Sequence, residues 1–500
     1  MNKERLKNIF TIENLLCFLI IICPLLDVSS FLFRDFFKTS FSISTIIRPI
    51  IPILAILYIF FKEKIKPQMI IAAMGYLVYA LCHIYIFCRI KSGCAYGNEL
   101  REIQYLVNYT FMVMNLFIYV YIFFLKTNEK NEADRTLMLN KIKKAVLISL
   151  TIYIALIYLA LITGTSSYTY SESKLGYKGW FESGNSLGTI IILSLFIVLP
   201  MIKKENRFYI RIWALMLTVL AGGYLTTTLG TRTGLLGFCI VIAAYIILNI
   251  LYNLAQKKKL NKNIIIAGII IFVITGTFVI FMGSKTIERR KQLKDKESEI
   301  YDYMLGQDSH VTGDTLEIVE KIKQGKMDEE YMKESMQRAY LDLYSQANKE
   351  NVSNTDMRKL QLIYHSNLVK EQDNIPMLLF GNGYMTHYYE MVFEMEVPAF
   401  LYNFGVIGFF MYFMPFMAIA IYGIYVLAKK FKLSNIEFAM ALLGLWFAIA
   451  ISFLSGYTFF NSSSMMIIII LCVVVIYGIR KISDCEIKIY NPEKSKMGES

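Results

Sequence analysis

Charged residues are scarce in this chain, and their scarcity excludes an ordinary soluble protein. Only 18% of the 500 residues are charged, whereas 56% are hydrophobic, and the mean hydropathy is +0.47. A typical soluble domain has about a quarter of its residues charged and about half apolar. Because the apolar residues also occur in runs of roughly 20, the sequence indicates a membrane protein.

Metal-ligand patterns are missing as well. The eight cysteines form no Cys-x-x-Cys pair, and the four histidines are scattered along the chain. Because metal sites need clustered Cys and His ligands, the sequence predicts no metal site. The apolar segment after MNKERLK has no small-residue cleavage site, so we interpret it as a retained first helix.

The apolar runs predict an all-α polytopic membrane protein with about twelve transmembrane helices. The predicted spans are residues 12–32, 43–61, 68–88, 105–125, 145–163, 185–201, 209–228, 233–253, 264–283, 398–428, 436–455 and 462–480. Alternate loops are rich in Lys and Arg, so the positive-inside rule places both termini in the cytoplasm. The net charge of +13 is therefore explained largely by Lys and Arg in the predicted cytoplasmic loops, and we infer no nucleic-acid binding.

A long polar stretch separates spans 9 and 10 and divides the chain. We predict nine spans in residues 1–283, an extracytoplasmic, mostly helical loop domain in 284–397, three spans in 398–480 and a cytoplasmic tail in 481–500. Within the loop, DEEYMKESMQRAYLDLYSQANKE (328–350) has apolar residues at three- and four-residue spacing, which is typical of an amphipathic helix.

Two arginines lie near the predicted outer ends of spans. Arg232, in GTRTGLLG (230–237), is either an interfacial side chain that reaches the headgroups or a clamp for a phosphate group. Arg48 lies inside the second span, with Asp27 as an expected ion-pair partner near the end of the first. Structural pairing and substrate binding are equally compatible with the position of Arg48.

An outer loop, SESKLGYKGWFESGNSLG (171–188), carries Trp180 and Asn185. Its aromatic side chains are compatible with an interfacial belt and with stacking on sugar rings. The sequence alone slightly favours the belt.

Carboxylates are crowded before the tenth span, in FGNGYMTHYYEMVFEMEVPAF (380–400). If residues 386–397 are helical, His387, Glu390 and Glu394 share one face, and Glu396 lies on another. The null hypothesis is a hydrated amphipathic lead-in to the span. The alternative is a general base for an acceptor hydroxyl, supplied by one of these groups.

Two further features bracket these carboxylates. Gly381 and Gly383, in GNG, permit a sharp backbone turn. Pro398 suits the first turn of the following helix.

Four motifs give the chain a resemblance to the O-antigen ligase and O-antigen polymerase superfamily of bacterial envelope glycosyltransferases. GTRTGLLG (230–237) resembles the family's arginine turn, and Arg358 in DMRKL, followed by LLFGNGY (378–384), resembles its loop arginine before a Gly-x-Gly. GYKGWFESGN (176–185) is similar to an outer-loop motif of Gram-positive members. FGVIG (404–408) is similar to the end of the family's His-Asn-x9-Gly-x-x-Gly pattern.

The last motif departs from the ligase pattern. Counting back from Gly405 and Gly408 places Glu394 where ligases carry the histidine, and His387 lies seven residues too early. The spacing therefore favours Glu394 over His387 as the base, and Glu396 belongs to the same EME segment. The departure favours a polymerase of capsule, exopolysaccharide or teichuronic-type chains over a lipopolysaccharide ligase.

The resemblance implies inverting transfer from an undecaprenyl-diphosphate-linked glycan, without metal or cofactor, on the outer face of the bacterial cytoplasmic membrane. Arg232 and Arg358, with Arg48, would stabilise the diphosphate, and Glu394 would orient or deprotonate the acceptor. Flippase and chain-length regulator proteins are the expected protein partners, beside the membrane lipids. The expected substrate-binding residues are Arg48, Trp180, Asn185, Gly381 and Gly383.

Three other functions are compatible with twelve spans. A flippase or other polysaccharide transporter should have balanced halves without a large one-sided loop. Polyprenyl-phosphate-sugar transferases of the other large membrane fold carry acidic residues in a large first outer loop, which here is only RDFFKTSF (34–41). A non-catalytic assembly scaffold is the third alternative.

Overall fold

The structure is a computed structural model. It describes residues 11–39, 42–62, 67–91, 99–125, 132–171, 173–204, 207–256, 262–304, 311, 314–329, 332–350, 352, 356–372, 375–383, 391–454 and 456–490.

Helices make up most of the described chain. Before the hairpin they are α1 (Ile12–Phe36), α2 (Ile43–Lys62), α3 (Pro67–Lys91), α4 (Glu99–Val120, extended by a π-helical turn, Tyr121–Leu125) and α5 (Glu132–Ile162). The hairpin consists of β1 (Ser167–Tyr170) and β2 (Leu175–Gly179). After it come α6 (Gly184–Val198), α7 (Met201–Lys204), α8 (Phe208–Gly223, extended by a π-helical turn, Tyr224–Thr228), α9 (Arg232–Ala255), α10 (Lys262–Met282) and α11 (Lys285–Met304). The remaining helices are α12 (Asp314–Lys323), α13 (Glu334–Lys349), α14 (Met357–Gln372), α15 (Ile375–Phe380), α16 (Glu396–Tyr412), α17 (Met414–Lys429), α18 (Ile436–Leu454) and α19 (Ser462–Tyr490).

The prediction of an all-α polytopic membrane protein is confirmed. Within the described residues, ten helices are long and apolar enough to cross a membrane, and two bent helix pairs raise the number to as many as twelve. The bent pairs are α10 with α11, at 51°, and α16 with α17, at 48°. Each of these helices or pairs overlaps a span predicted from hydropathy.

Helix α6 lies at the centre of the bundle, and every residue from Ser186 to Val198 is buried. Its sequence is apolar on all sides, which is typical of a helix surrounded by other helices. It packs against α5, α9, α18 and α19. Helix α9, by contrast, exposes one stripe of large apolar side chains, which suits contact with lipid. The stripe consists of Leu236, Ile240, Ile247, Leu251 and Leu254.

The hairpin closes onto the turn between α8 and α9. Its strands are antiparallel, with Tyr168 opposite Tyr177 and Tyr170 opposite Leu175. The hydroxyl of Thr169 donates a 2.8 Å hydrogen bond to the carbonyl of Leu229. The hairpin thereby fixes the backbone just before Arg232.

Helices α12–α14 have a hydrophobic core of their own, separate from that of the membrane helices. Their amphipathic sequences each place one apolar face toward the others, as the three- and four-residue spacing predicts. The tyrosine rings of Tyr340 and Tyr364 meet there at 4.6 Å between centroids. The buried members are Val311, Val319, Ile322, Met332, Met336, Ala339, Tyr340, Leu343, Ala347, Val352, Leu360, Ile363, Tyr364, Leu368 and Met391.

Candidate functional site

Arg232 is the first residue of α9. The preceding residue, Thr231, caps the helix, and its hydroxyl accepts a 3.1 Å hydrogen bond from the amide of Gly234. Gly230 has a φ of +82°, which allows the chain to turn sharply into the helix. The side chain of Arg232 is exposed at a helix N-terminus, where the backbone already favours negative charge.

A second arginine lies close to Arg232. The guanidinium carbon of Arg289, on α11, stacks 3.1 Å from the ring centroid of Tyr170, on β1. Burial raises the pKa of Tyr170, and the positive charges of Arg289 and Arg232 oppose that rise. Within the described residues, neither arginine forms an ion pair with a carboxylate. We name Arg232, Arg289 and Tyr170 the arginine cluster.

Arg358 and Glu394 form an ion pair. Nε of Arg358, on α14, lies 3.1 Å from Oε2 of Glu394. The side chains are 48% and 56% exposed, so both groups are accessible from water. The backbone of Glu394 is held by a 3.1 Å hydrogen bond from its amide to Oε1 of Gln361, one turn after Arg358 on the same helix. The structure thus brings together two of the residues that the sequence singled out.

The expectation of a helix over residues 386–397 is wrong for residues 391–395 and holds, among the described residues, only for the last two, 396 and 397. Residues 391–395 form turns and bends, and α16 begins at Glu396. Pro398 has no amide hydrogen and is tolerated only in the first turn, so the helix begins close before it. The predicted base His387 lies outside the described residues.

Glu396 occupies a very different environment from Glu394. Its side chain is 1% exposed. Oε1 accepts hydrogen bonds from the amides of Thr458 (2.6 Å) and Phe460 (2.8 Å), and Oε2 accepts one from Phe459 (2.8 Å). These contacts hold the loop before α19 and give Glu396 a structural role, and its catalytic role remains a prediction.

The Gly-x-Gly turn packs against a break in α16. The amides of Asn382 and Gly383 donate to the carbonyls of Tyr402 (2.9 Å) and Asn403 (2.8 Å). Those carbonyls are available because Gly405, with φ +69° and ψ −179°, interrupts the helix. A Cβ on Gly381 would lie 2.5 Å from the amide nitrogen of Gly405. The glycines therefore make a close backbone contact, and their predicted substrate contacts remain a prediction.

A buried histidine–glutamate pair fixes the start of this turn. Nδ1 of His83, on α3, lies 2.6 Å from the carbonyl oxygen of Phe380, and Nε2 lies 2.8 Å from Oε1 of Glu102, on α4. Because a carbonyl can only accept, Nδ1 carries the proton in this contact. The pair links two membrane helices to the Gly-x-Gly turn, and the sequence analysis did not single it out.

The predicted Asp27–Arg48 ion pair is present. Nη2 of Arg48 lies 2.6 Å from Oδ1 of Asp27 and 2.8 Å from the hydroxyl of Ser463, and Nη1 donates to Ser462. The hydroxyl of Tyr153 donates to the other oxygen of Asp27. This network borders a cavity of about 630 Å³, which we name the polar cavity.

Trp180 and Asn185 flank the segment 181–183 that lines the polar cavity, but they have other partners. The indole nitrogen of Trp180 donates a 2.9 Å hydrogen bond to the hydroxyl of Thr165, which ties it to the hairpin. Asn185 lies in the first turn of α6, and its carbonyl accepts from Thr189 (3.0 Å). Neither is among the described residues that line the polar cavity.

The structure therefore distributes the three predicted arginines and Glu394 over three groups: the arginine cluster, the Arg358–Glu394 pair and the Asp27–Arg48 network. No contact between described residues joins the groups directly. The second group does border the cavity loop, because the carbonyl oxygen of Glu394 would lie 2.6 Å from a Cβ on Gly456. Among the described residues, no group of three or more His, Cys, Asp or Glu side chains could hold a metal ion.

The fold and these groups define a multi-pass membrane protein with charged sites at one end of its helix bundle. They lie at the end where α1, α8 and α18 finish and where α2, α9 and α19 begin. The chain belongs to the family described as O-antigen ligase like membrane protein, whose family model matches residues 7–481. Family membership indicates an enzyme of polysaccharide ligation or polymerisation. No curated protein gives a significant match to the chain.

Proposed function

We propose that this protein polymerises undecaprenyl-diphosphate-linked oligosaccharide repeat units on the outer face of a bacterial cytoplasmic membrane, for a capsule or exopolysaccharide. The observation that carries the proposal is the Arg358–Glu394 ion pair, at 3.1 Å and half exposed. Membership of the O-antigen ligase like family supports it. Glutamate at the place of the ligase histidine favours polymerisation over ligation to a lipopolysaccharide core.

The reaction needs a base for the acceptor and a cation for the leaving group. The acceptor hydroxyl oxygen bonds to the anomeric carbon of the donor as the bond from that carbon to the diphosphate oxygen breaks, with inversion. Glu394 takes the hydroxyl proton, as a general base does. Undecaprenyl diphosphate leaves with the electron pair, and Arg358 stabilises its charge through paired N–H donors.

The resting ion pair suits this exchange. An exposed Arg–Glu pair contributes only about 0–1 kcal/mol, so an incoming diphosphate can replace the carboxylate at little cost. When Arg358 turns to the phosphate, the Glu394 carboxylate is released to accept the proton of the acceptor. The two groups therefore become competent together when the donor binds.

The arginine cluster supplies a second positive group for a lipid-linked diphosphate. Arg232 and Arg289 lie close together without a described carboxylate partner, next to a helix N-terminus. Because no described contact joins them to Arg358, their contribution has to be tested separately from that of the Arg358–Glu394 pair.

Chain length in cells tests the assignment. Arg232→Ala, Arg358→Ala and Glu394→Gln should each abolish long-chain glycan at a normal protein level, with losses of about 10²-fold or more in transfer rate. The matched control is Arg338→Ala, because Arg338 is also half exposed and paired with glutamates, on α13. Its glycan should keep wild-type length. Wild-type length in all three site variants would overturn the assignment.

A further inference from the structure

The polar cavity lies beside the Arg358–Glu394 pair but has a different chemistry. It is bounded by α1, α2, α4, the start of α6 and the loop that leads into α19. At about 630 Å³ it falls within the roughly 300–1,000 Å³ typical of small-molecule sites. The residues of this cavity that the argument uses are Arg48, Gln104, Asn108, Asn115, Phe181 and Tyr457.

Its charges cancel. The four charged residues in its described lining are Asp27, Arg34, Arg48 and Glu182. Arg48 pairs with Asp27 at 2.6 Å, and Arg34 pairs with Glu182 at 3.4 Å. Arg34 is 64% exposed and can exchange Glu182 for a phosphate as Arg358 exchanges Glu394. Arg48 is only 22% exposed and is also bonded to Ser462 and Ser463, so the lining around it offers a diphosphate no uncompensated cation, in contrast to the arginine cluster. The cavity therefore suits an uncharged ligand.

Helix α4 presents amides to the cavity. Gln104, Asn108, Phe111 and Asn115 follow one another at four-, three- and four-residue intervals, so they lie on one face. Polar side chains within a membrane helix are costly and usually mark a substrate path or a water-filled cavity. Neither of the membrane-crossing neighbours α2 and α19 supplies amides of this kind to the described lining.

Two atoms of the lining are buried and have no hydrogen-bond partner among the described residues. They are Oδ1 of Asn115, an acceptor, and Nε of Arg48, a donor. A buried polar atom without a partner costs free energy, so each of these atoms should gain when a ligand hydroxyl or ring oxygen reaches it.

Aromatic rings complete the lining. Tyr457 offers a flat apolar face on which a sugar ring can stack, whereas Phe181 is 3% exposed and packs 5.4 Å from the ring of Tyr153. Tyr457 has a φ of +68°, a conformation that non-glycine residues rarely adopt, and its side chain is 59% exposed. The three hydrogen bonds of Glu396 to the next three amides hold the backbone there. The loop thus keeps an aromatic ring exposed beside the cavity.

We propose that the polar cavity binds the uncharged sugar portion of the glycan, while the diphosphate is bound outside it by arginines. Asn115 Oδ1 accepts a hydrogen bond from a sugar hydroxyl, Arg48 Nε donates one to a sugar oxygen, and the ring of Tyr457 stacks on an apolar face of the sugar. This proposal rests on the proposed function for the identity of its ligand, but not on the transfer reaction itself.

Separate binding measurements test the proposal on the full-length protein in detergent. The probes are the lipid-free repeat-unit oligosaccharide of the source strain, the same oligosaccharide on undecaprenyl diphosphate, and undecaprenyl diphosphate alone, each titrated by calorimetry. Asn115→Leu and, independently, Asn108→Leu should weaken binding of the free oligosaccharide by about tenfold each and leave binding of undecaprenyl diphosphate unchanged. Arg232→Ala should weaken binding of undecaprenyl diphosphate and leave binding of the free oligosaccharide unchanged.

The matched control is Asn249→Leu. Asn249 is a buried asparagine on α9 whose amide bonds to the carbonyl of Tyr245, away from the cavity. The Asn249→Leu protein should be less stable than the wild type but should bind the oligosaccharide with the same affinity.

The outcomes separate this proposal from the proposed function. If the free oligosaccharide binds and its binding depends on Asn115, the cavity is a sugar site that takes the sugars of the acceptor or of the donor. If only the lipid-linked oligosaccharide binds in this way, the cavity is a site for the sugars of the donor. Binding without any glycosidic bond formation would support the cavity and contradict the polymerase. The proposal would be overturned if both variants bound the oligosaccharide, free and lipid-linked, with unchanged affinity, if they lost affinity for undecaprenyl diphosphate equally, or if the wild type bound neither form of the oligosaccharide.

Discussion

Two glutamates only two positions apart have opposite environments. Glu394 is more than half exposed and faces Arg358, whereas Glu396 is buried and accepts three backbone hydrogen bonds. The spacing does not decide this, because Glu394 lies in the irregular segment before α16 and Glu396 is the first residue of the helix, so each follows a different backbone geometry. Because most of the hydrogen-bonding capacity of Glu396 is used by backbone amides, our proposal assigns proton transfer to Glu394.

Substitution by glutamine separates the two roles. Glu396→Gln replaces an acceptor oxygen with a donor amide facing backbone N–H groups, and should cost about 1–3 kcal/mol of stability. Glu394→Gln is an exposed change and should stay within about 0.5 kcal/mol of the wild type. Thermal unfolding in detergent measures both. A Glu396→Gln protein with the wild-type unfolding midpoint but no transfer would make Glu396 catalytic.

Exchanging the partners tests whether the Arg358–Glu394 pair is chemical or structural. The double variant Arg358→Glu with Glu394→Arg keeps an ion pair, so its unfolding midpoint should stay close to that of the wild type. It should make no long-chain glycan, because the base and the cation have changed places. Measurement of glycan length in cells decides the matter, and restored polymer would show that the pair only supports the fold.

At the scale of elements, the break in α16 organises the site. Gly405 leaves helical geometry, and the carbonyls before it turn to the amides of the Gly-x-Gly segment. His83 and Glu102 hold the other side of that segment through the carbonyl of Phe380. Residues of three membrane helices, α3, α4 and α16, therefore hold the turn that follows α15 in place.

Alanine at Gly405 should break this contact. Its Cβ would lie 2.5 Å from the amide nitrogen of Gly381, at a φ of +69°, so a loss of at least about 1–3 kcal/mol is expected. Gly276→Ala is the matched control, since Gly276 is helical and nothing lies within 4 Å of its Cβ. That variant should be stabilised by up to about 1 kcal/mol. Equal unfolding midpoints for the two variants would contradict the account of the kink.

The sequence predicts elements well where one local property decides them. Each of the ten candidate membrane helices and two bent pairs among the described residues overlaps a span predicted from hydropathy, because a membrane helix needs an unbroken apolar run. The Asp27–Arg48 pair was predictable because both charges lie near the same ends of adjacent spans. The break at Gly405 was not, since it depends on a backbone contact with Gly381. The amide side chains of α4 could have been predicted to share a site, because the spacing of Gln104, Asn108 and Asn115 places them on one face of a helix.

Contacts distant in sequence account for most of what remained hidden. The hydrogen bonds of Glu396 could not be predicted because its partners, the amides of residues 458–460, lie more than 60 positions away. Arg289 joins Arg232 only because α11 returns to the β-hairpin, and its local sequence ERRK is merely basic. These positions could be found only once the helices were packed.

At the scale of the whole molecule, the orientation predicted from Lys and Arg can be tested by labelling. In a variant with all native cysteines replaced by serine, Asp342→Cys on α13 should react with an impermeant maleimide in intact cells. Lys432→Cys, between α17 and α18, should react only after the membrane is opened. Both positions are exposed in the structure. The reverse pattern would invert the topology and place the candidate site in the cytoplasm.

The most direct test of the central claim is bond formation by the purified protein. Wild-type protein in vesicles with undecaprenyl-diphosphate-linked repeat units as its sole glycan substrate should produce lipid-linked dimers and longer chains, detected by mass spectrometry, and Glu394→Gln should not. The new linkage should have the anomeric configuration opposite to that of the donor. Movement of the lipid-linked unit between leaflets without any new glycosidic bond would contradict the account and identify a transporter instead.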